Sequence, residues 1–345
     1  MDRLEITRPD DWHLHLRDGA MLKRVVPYSA RVFGRVIVMP NLTAPITTLS
    51  QARAYRERIL SALPPDLVLE PLMTLYLTDG TTAQEIERAA QSSEVVAVKF
   101  YPQGATTNSE AGVTALDRLA DVFEALERWD LPLLVHGEST AIDCDVFDRE
   151  REFLEQTLAP LIERHPNLRV VFEHITSAEA ASYVAEASQR VAATITPQHL
   201  LLNRNAIFEG GLRPHHYCLP VLKREVDRQA LVAAATSGDP SFFLGTDSAP
   251  HERRRKESDC GCAGIFSAPI AIEAYAEAFA RAGALNRLEA FASHHGPDFY
   301  ALPRNRDRIQ LERVDWTGPA TDGDGSEAIE IFWARQPLRY RLAMD

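Results

Sequence analysis

His13 and His15 stand two residues apart in Asp10-Asp11-Trp12-His13-Leu14-His15-Leu16-Arg17. In an extended chain alternate residues share a face. His13, His15 and Arg17 then point one way and Leu14 and Leu16 the other. Two imidazoles at this spacing can converge on one divalent ion; they can equally form a hydrogen-bonded pair at a strand end. Single histidines close two further apolar runs, in Val135-His136-Gly137 and Glu173-His174-Ile175, and Gly245-Thr246-Asp247-Ser248 closes another with a carboxylate. Nitrogen and oxygen donors without thiolates suit zinc, with manganese or cobalt as substitutes. Lys99, in Val98-Lys99-Phe100-Tyr101-Pro102, ends a run of the same kind. An ammonium beside a divalent cation is repelled, so Lys99 must lose its charge, point away or be modified. Carbon dioxide can turn the amine into a carbamate, a carboxylate able to bridge two metals about 3.5–4 Å apart. The other reading is a lysine salt-bridged at the rim.

Such side chains meet only if the elements carrying them are neighbours. Short apolar runs lie near residues 11–17, 35–40, 67–77, 95–101, 131–137, 169–175, 191–197 and 242–247. Several, such as Val36-Ile37-Val38-Met39 and Val170-Val171-Phe172, are continuously apolar, as fully buried parallel strands are. Helical spacing fills 49–63, 113–129, 149–164, 178–189 and 222–235. Eight strands alternating with helices predict an α/β fold with right-handed crossovers, and eight is the number that closes a TIM (β/α)8 barrel. The reactive residues then sit at the C-terminal ends of the strands, where such barrels build their sites. An open doubly wound sheet is the alternative, but no G-x-G-x-x-G follows the first strand. No linker divides the chain, so residues 1–345 read as one hydrolase domain. Residues 303–345 form a short C-terminal extension whose apolar segment, residues 329–333, the pattern does not place.

The net charge of −12, from 37 basic and 49 acidic residues, argues against nucleic acid as partner. It also requires local positive potential wherever an anion binds. The one basic run, Arg253-Arg254-Arg255-Lys256, is flanked by Glu252 and Glu257 and reads as a solvated loop. Four cysteines are too few for a disulfide framework, and Cys260 with Cys262 forms a C-x-C without a second half. The first residues carry no apolar signal region, and no apolar run approaches ~18 residues. A soluble cytoplasmic protein away from membranes is expected.

With these residues in view a resemblance emerges. The opening Asp10 to Gly19 segment, Val38-Met39-Pro40-Asn41, Lys99-Phe100-Tyr101-Pro102 with Ala105-Thr106-Thr107-Asn108-Ser109, and Leu134-Val135-His136-Gly137-Glu138 are similar to motifs of the shorter, bacterial-type dihydroorotases of the amidohydrolase superfamily. So are Phe172-Glu173-His174-Ile175-Thr176, the stretch from Ala193 to His199, and Gly245-Thr246-Asp247-Ser248-Ala249-Pro250-His251. The resemblance runs in order over roughly residues 8 to 300. It implies a cyclic amidohydrolase that interconverts N-carbamoyl-L-aspartate and L-dihydroorotate in pyrimidine (UMP) synthesis. It also implies two zinc ions per subunit, bridged by Lys99 as N6-carboxylysine. His13, His15 and Asp247 would complete one site, and His136 and His174 the other.

Further roles follow from the same resemblance. The metals polarise the ring amide carbonyl, and Asp247 carries a proton from the nucleophile to the leaving nitrogen. Arg17, Asn41 and His251 hold the substrate carboxylate, a task for which a guanidinium is well shaped. Backbone groups around Leu219, Ala263 and Gly264 contact the ring edge, with His136 also against the substrate. Residues 103–112, polar and glycine-containing, read either as an ordinary connection or as a mobile lid whose Thr106 and Thr107 meet the entering anion. The resemblance favours the lid, and implies a homodimer. Gln103-Gly104 departs from the family pattern, and residues beyond 303 match weakly. A hydantoinase or dihydropyrimidinase would carry a β-sandwich built from both termini, and a first ligand at His13 leaves no room for its N-terminal half. A phosphotriesterase-like hydrolase would have little use for Arg17. An inactive scaffold should have lost ligands, yet every ligand position is filled.

Overall fold

The computed structural model describes residues 3–259 and 261–343. Strand β1 (Arg3–Thr7) precedes eight strands in one parallel sheet, ordered as in the chain. These are β2 (Asp11–Leu14), β3 (Arg35–Val38), β4 (Glu70–Tyr76), β5 (Val95–Phe100), β6 (Leu133–Val135), β7 (Val170–Phe172), β8 (Val191–Ile195) and β9 (Phe242–Leu244). The seam between β9 and β2 is closed just past their ends, by Asp247 N donating to His13 O at 2.8 Å and His15 N donating to Ser248 O at 3.0 Å. The expected TIM barrel is therefore present, and its closing hydrogen bonds come from candidate ligands.

Two buried layers follow from the two-residue alternation. Val36, Val38, Val98, Val135, Val170 and Phe172 pack outward with the helices. Trp12, Ile37, Met39, Leu72, Ala97, Leu134, Val171, Ala192, Phe243 and Tyr300 form a separate apolar cluster inside the barrel. That cluster is the floor on which the polar ends rest: Ala97 leads to Lys99 and Tyr101, Leu134 to His136 and Glu138, Met39 to Asn41. In β2 the alternation is broken by a register shift between Asp11 and Leu14. Such bulges commonly re-aim side chains beside active sites.

The helices follow the spacing read from the sequence, with shifted ends. Helix Leu49–Ala62 begins on a capping box between Thr48 and Gln51, which satisfies otherwise orphaned donors. The segment expected from residue 113 starts with a 3-10 turn, Leu116–Leu119, before Ala120–Trp129, and that from residue 222 starts at Glu225. Three helices of eight residues or more escaped the pattern among the described residues: Gly19–Val32, which contains Pro27; the two-turn Ala83–Ala90; and Ala271–Arg281, which is buried on nearly every side and so has no amphipathic stripe.

The structure corrects one expectation and adds a feature to another. The basic run is not a solvated loop: Arg253–Lys256 is a short helix, and Lys256 is 3% exposed because it is drawn beneath two neighbouring loops. The second is an addition rather than a reversal, since no β-sandwich is formed among the described residues: β1 pairs with β10 (Arg308–Thr317), which pairs with a C-terminal strand, Pro337–Leu342, in a three-stranded antiparallel sheet. Residues 329–333 also find a place. Ile329-Glu330 pairs with Thr321-Asp322, and Ile331 and Phe332 are buried, Phe332 N donating to Phe266 O at 2.8 Å. Cys260 lies outside the described residues; Cys262 is a free thiol. No described helix is long and apolar enough to cross a membrane.

Candidate active site

One cavity at the C-terminal mouth of the barrel gathers most of the residues picked from the sequence. His13, His15, Arg17, Asn41, Thr106, Thr107, His136, His174, Leu219, Asp247, Ala263 and Gly264 line it, joined by Tyr101 and Ala249. Lys99 lies fully buried beside it and His251 stands behind Arg17. The imidazoles are packed together: ring centres are 5.5 Å apart for His13 and His15, 4.9 Å for His13 and His174, and 4.8 Å for His136 and His174.

Three residues reach the cavity through left-handed backbone, Arg17 at φ 58°, His174 at φ 41° and Asp247 at φ 45°. This conformation costs a non-glycine residue about 1–3 kcal/mol and clusters at functional sites. At His174 it turns the chain so that both Glu173 and His174 face the site. Gly245 is needed beneath: a Cβ there would lie 2.7 Å from Thr194 Cβ and 3.1 Å from His13 Cβ.

Ligating atoms of His13, His15 and Asp247 all lie within 4.8 Å of one another. Asp247 Oδ1 is 3.0 Å from His15 Nε2 and 3.4 Å from His13 Nε2. Burial would raise the Asp247 carboxyl, but the hydrogen bonds from His13 and His15 hold it well below its ordinary range. Burial lowers His15 to about 4, lowers His136, and takes His174 well down. Burial thus favours the neutral form that a metal ligand needs at these rings; at His13 burial pulls the same way, but the Glu173 carboxylate and the Asp247 hydrogen bond raise it overall. Burial also lowers the Lys99 ammonium to about 8. Lys99 Nζ and His174 Nδ1 are buried with no hydrogen-bond partner among the described residues. Buried polar atoms are rarely left so. Imidazole, carboxylate and an unpartnered amine, without thiolate, fit a divalent metal of the zinc type.

Sequence reasoning missed the supports. Glu173 Oε2 lies 2.8 Å from His13 Nδ1, and Glu138 Oε2 lies 2.9 Å from His136 Nε2. Each fixes which nitrogen its histidine presents to the cavity. Alternation could have found Glu138 and Tyr101, two residues beyond His136 and Lys99. Asp11 accepts from Thr246 N at 2.9 Å and from His13 N at 3.2 Å across the barrel seam; burial raises it to about 7.

Arg17 has no carboxylate partner among the described residues. Its Nε donates to Pro250 O at 3.3 Å and its Nη2 lies 2.9 Å from His251 Nε2. The same His251 nitrogen is 3.0 Å from Ala263 O, so the tautomer decides which contact is a hydrogen bond. Burial, then the Arg17 charge, lowers His251 to about 2. Residues 103–112 are knitted to the barrel: Asn41 Nδ2 donates to Thr107 O and Asn108 Nδ2 to Asn41 O, each at 3.0 Å. With this loop in place the cavity has about 20 Å³ of space for water-sized spheres. That is room for about one water.

The chain belongs to the amidohydrolase family, whose model matches residues 10–310. Within that family it belongs with the dihydroorotases, hydrolases acting on a cyclic amide. It is 63% identical to the dihydroorotase of Methylobacillus flagellatus, over 98% of each chain. Two solved structures share its fold across nearly the whole length, each with a TM-score of 0.90. One is the Saccharomyces cerevisiae dihydroorotase in complex with 5-fluoroorotic acid, at 32% identity over 99% of each chain. The other is the Campylobacter jejuni dihydroorotase, at 34% identity over 99% of this chain and 98% of that one. Identity of this extent sets aside the hydantoinase-like reading.

Proposed function

We propose that the chain interconverts L-dihydroorotate and N-carbamoyl-L-aspartate in this cavity, as a step of pyrimidine synthesis, with two zinc ions per subunit and Lys99 as N6-carboxylysine. The observation that carries this reading is Lys99: its Nζ is fully buried, has no described partner, and lies within electrostatic reach of His13, His136, His174 and Asp247. His13, His15 and Asp247 would hold one ion, His136 and His174 the other, and carboxylated Lys99 both. Bound there, the ions would polarise the ring amide carbonyl and lower the pKa of the attacking water.

The chain supplies the rest. Asp247 accepts the proton of the attacking water and returns it to the ring nitrogen as the C–N bond breaks. The position of its carboxylate beside His13 and His15 supports this role, because it is held ionised there. Arg17 takes the substrate carboxylate bidentately; its lack of a carboxylate partner supports that assignment. Asn41 and His251 flank the same anion, and backbone groups at Leu219, Ala263 and Gly264 meet the ring edge. Thr106 and Thr107, whose hydroxyls make no hydrogen bond among the described residues, close over the bound ring. The family resemblance supports a homodimer, which mass in solution measures. The sheet joining both termini supports reading the chain as one domain with residues 303–345 as its extension.

The test is substrate choice. Zinc-loaded protein is offered dihydroorotate, dihydrouracil and hydantoin in separate assays. Consumption of dihydroorotate alone is expected, since only it brings a carboxylate to Arg17. Comparable kcat/KM on dihydrouracil would overturn the assignment.

A further inference from the structure

Lys256 is a buried cation without a counter-ion. It is 3% exposed, and its Nζ donates to Tyr217 O at 2.8 Å and to Gly264 O at 2.7 Å. No carboxylate is paired with it among the described residues. The two carbonyls belong to separate loops, which also meet through Gly264 N donating to Tyr217 O at 3.0 Å. Both loops line the cavity: Leu219 lies two residues beyond Tyr217, and Ala263 and Gly264 are on the other. No side chain fits at Gly264, since its φ is +146° and a Cβ on it would lie 2.6 Å from Ala249 O.

The helix that ends in Lys256 is anchored from the far side. Arg253 N donates to Ala328 O at 2.8 Å, Arg253 Nη1 to Gly325 O at 3.1 Å and Arg253 Nη2 to Glu330 Oε2 at 3.2 Å. The C-terminal extension thus braces Lys256, which braces the loops.

Burying an ammonium is strongly unfavourable unless something compensates it. An apolar side chain would fill the same space without that cost. Packing alone therefore does not account for a lysine here. Burial, with the charge of Arg17 adding to it, lowers the ammonium to about 8, so the two cations feel one another. Two cations near one cavity, Lys256 buried and Arg17 half-buried, in a chain of net charge −12, call for an anion between them.

We propose that Lys256 is a positioning residue for the anionic substrate: it fastens the Leu219 and Gly264 loops together and adds, with Arg17, the positive potential that draws the carboxylate in. This rests on the dihydroorotate reading above. Lys256 does not touch the metal ligands, so its loss should weaken ligand binding rather than metal binding.

The experiment compares wild type with Lys256→Met, Lys256→Gln and Lys256→Arg, all zinc-loaded. The Kd for 5-fluoroorotate is measured by calorimetry and steady-state kinetics with dihydroorotate. For the Met and Gln variants Kd and KM should each rise about tenfold or more, while kcat falls less than about threefold and zinc content holds. Lys256→Arg should recover part of the binding, because it keeps the charge. Should Lys256→Met fail to fold, Lys256→Gln gives the same comparison with a donor retained. Wild-type binding by Met or Gln overturns the proposal. So does an Arg variant no better than Met, which would mark Lys256 as packing only. If wild type neither binds 5-fluoroorotate nor consumes dihydroorotate, it is the underlying reading that fails.

Discussion

Glu173 Oε2 lies 2.8 Å from His13 Nδ1, and the residue that follows Glu173 is His174. One peptide therefore supports a candidate ligand of one metal site and supplies a candidate ligand of the other. Thr194 Oγ1 donates to the same carboxylate oxygen, which fixes its direction. With Nδ1 engaged, His13 presents Nε2 to the cavity.

Glu173→Gln should weaken zinc at the His13 site about 10–100-fold, the usual cost of losing such a support. Competition against a chelator measures it. Unchanged affinity at both sites would show that the contact orients nothing.

Burial sets the Lys99 amine at about 8 against an ordinary 10.5. Below about pH 8 the folded metal-free chain carries a buried ammonium at a cost in stability, and that cost is relieved as pH rises through 8 toward the unfolded value. The neutral amine, the form that adds carbon dioxide and releases a proton, grows in the same direction. Reactivation of metal-free protein by zinc and bicarbonate should therefore speed up from pH 7 to 9. Lys99→Ala should lose most activity and regain some with a short carboxylic acid in the buffer. An active Lys99→Arg protein would contradict the carbamate, since arginine cannot supply a carboxylate.

Arg17→Lys keeps a charge but loses the two-pronged guanidinium. Transition-state stabilisation should fall by roughly 1–3 kcal/mol, the range for charge-assisted hydrogen bonds. Zinc content should not change. Wild-type kcat/KM in this variant would remove Arg17 from the substrate site.

Thr106 and Thr107 line the mouth of the cavity, and their loop is held there by the Asn41 and Asn108 hydrogen bonds, so a lid role would require residues 103–112 to release those bonds as substrate passes. Thr106→Ala combined with Thr107→Val should lower kcat at least about tenfold, about 1.4 kcal/mol, because a lid contributes at closure. Proteolysis within the loop should slow when dihydroorotate is present. Normal turnover together with unchanged proteolysis would leave the loop a simple connection.

The barrel was legible because continuous apolar runs such as Val170-Val171-Phe172 alternate with helical spacing. Most of the site was legible because polar residues end those runs on the inward alternation, as Lys99 does after Ala97. Arg17, His174 and Asp247 were picked by type, but their left-handed backbone is invisible to periodicity. Glu173 lies on the inward alternation two residues beyond Val171, and the left-handed turn at His174 brings that next, out-of-phase residue inward as well. Lys256 was hidden by its charged neighbours: carbonyls of Tyr217 and Gly264, far along the chain or across a loop, decide its burial. Ile331 and Phe332 are likewise buried by a partner, Phe266, that no local pattern announces.

The central claim is that the histidine, lysine and aspartate ends form one binuclear metal centre. Elemental analysis of freshly purified, active protein tests it most directly. About two zinc ions per chain are expected, as in other paired-metal hydrolases. In His136→Ala one of them should be lost while the fold persists. Active protein that contains no divalent metal would contradict the account.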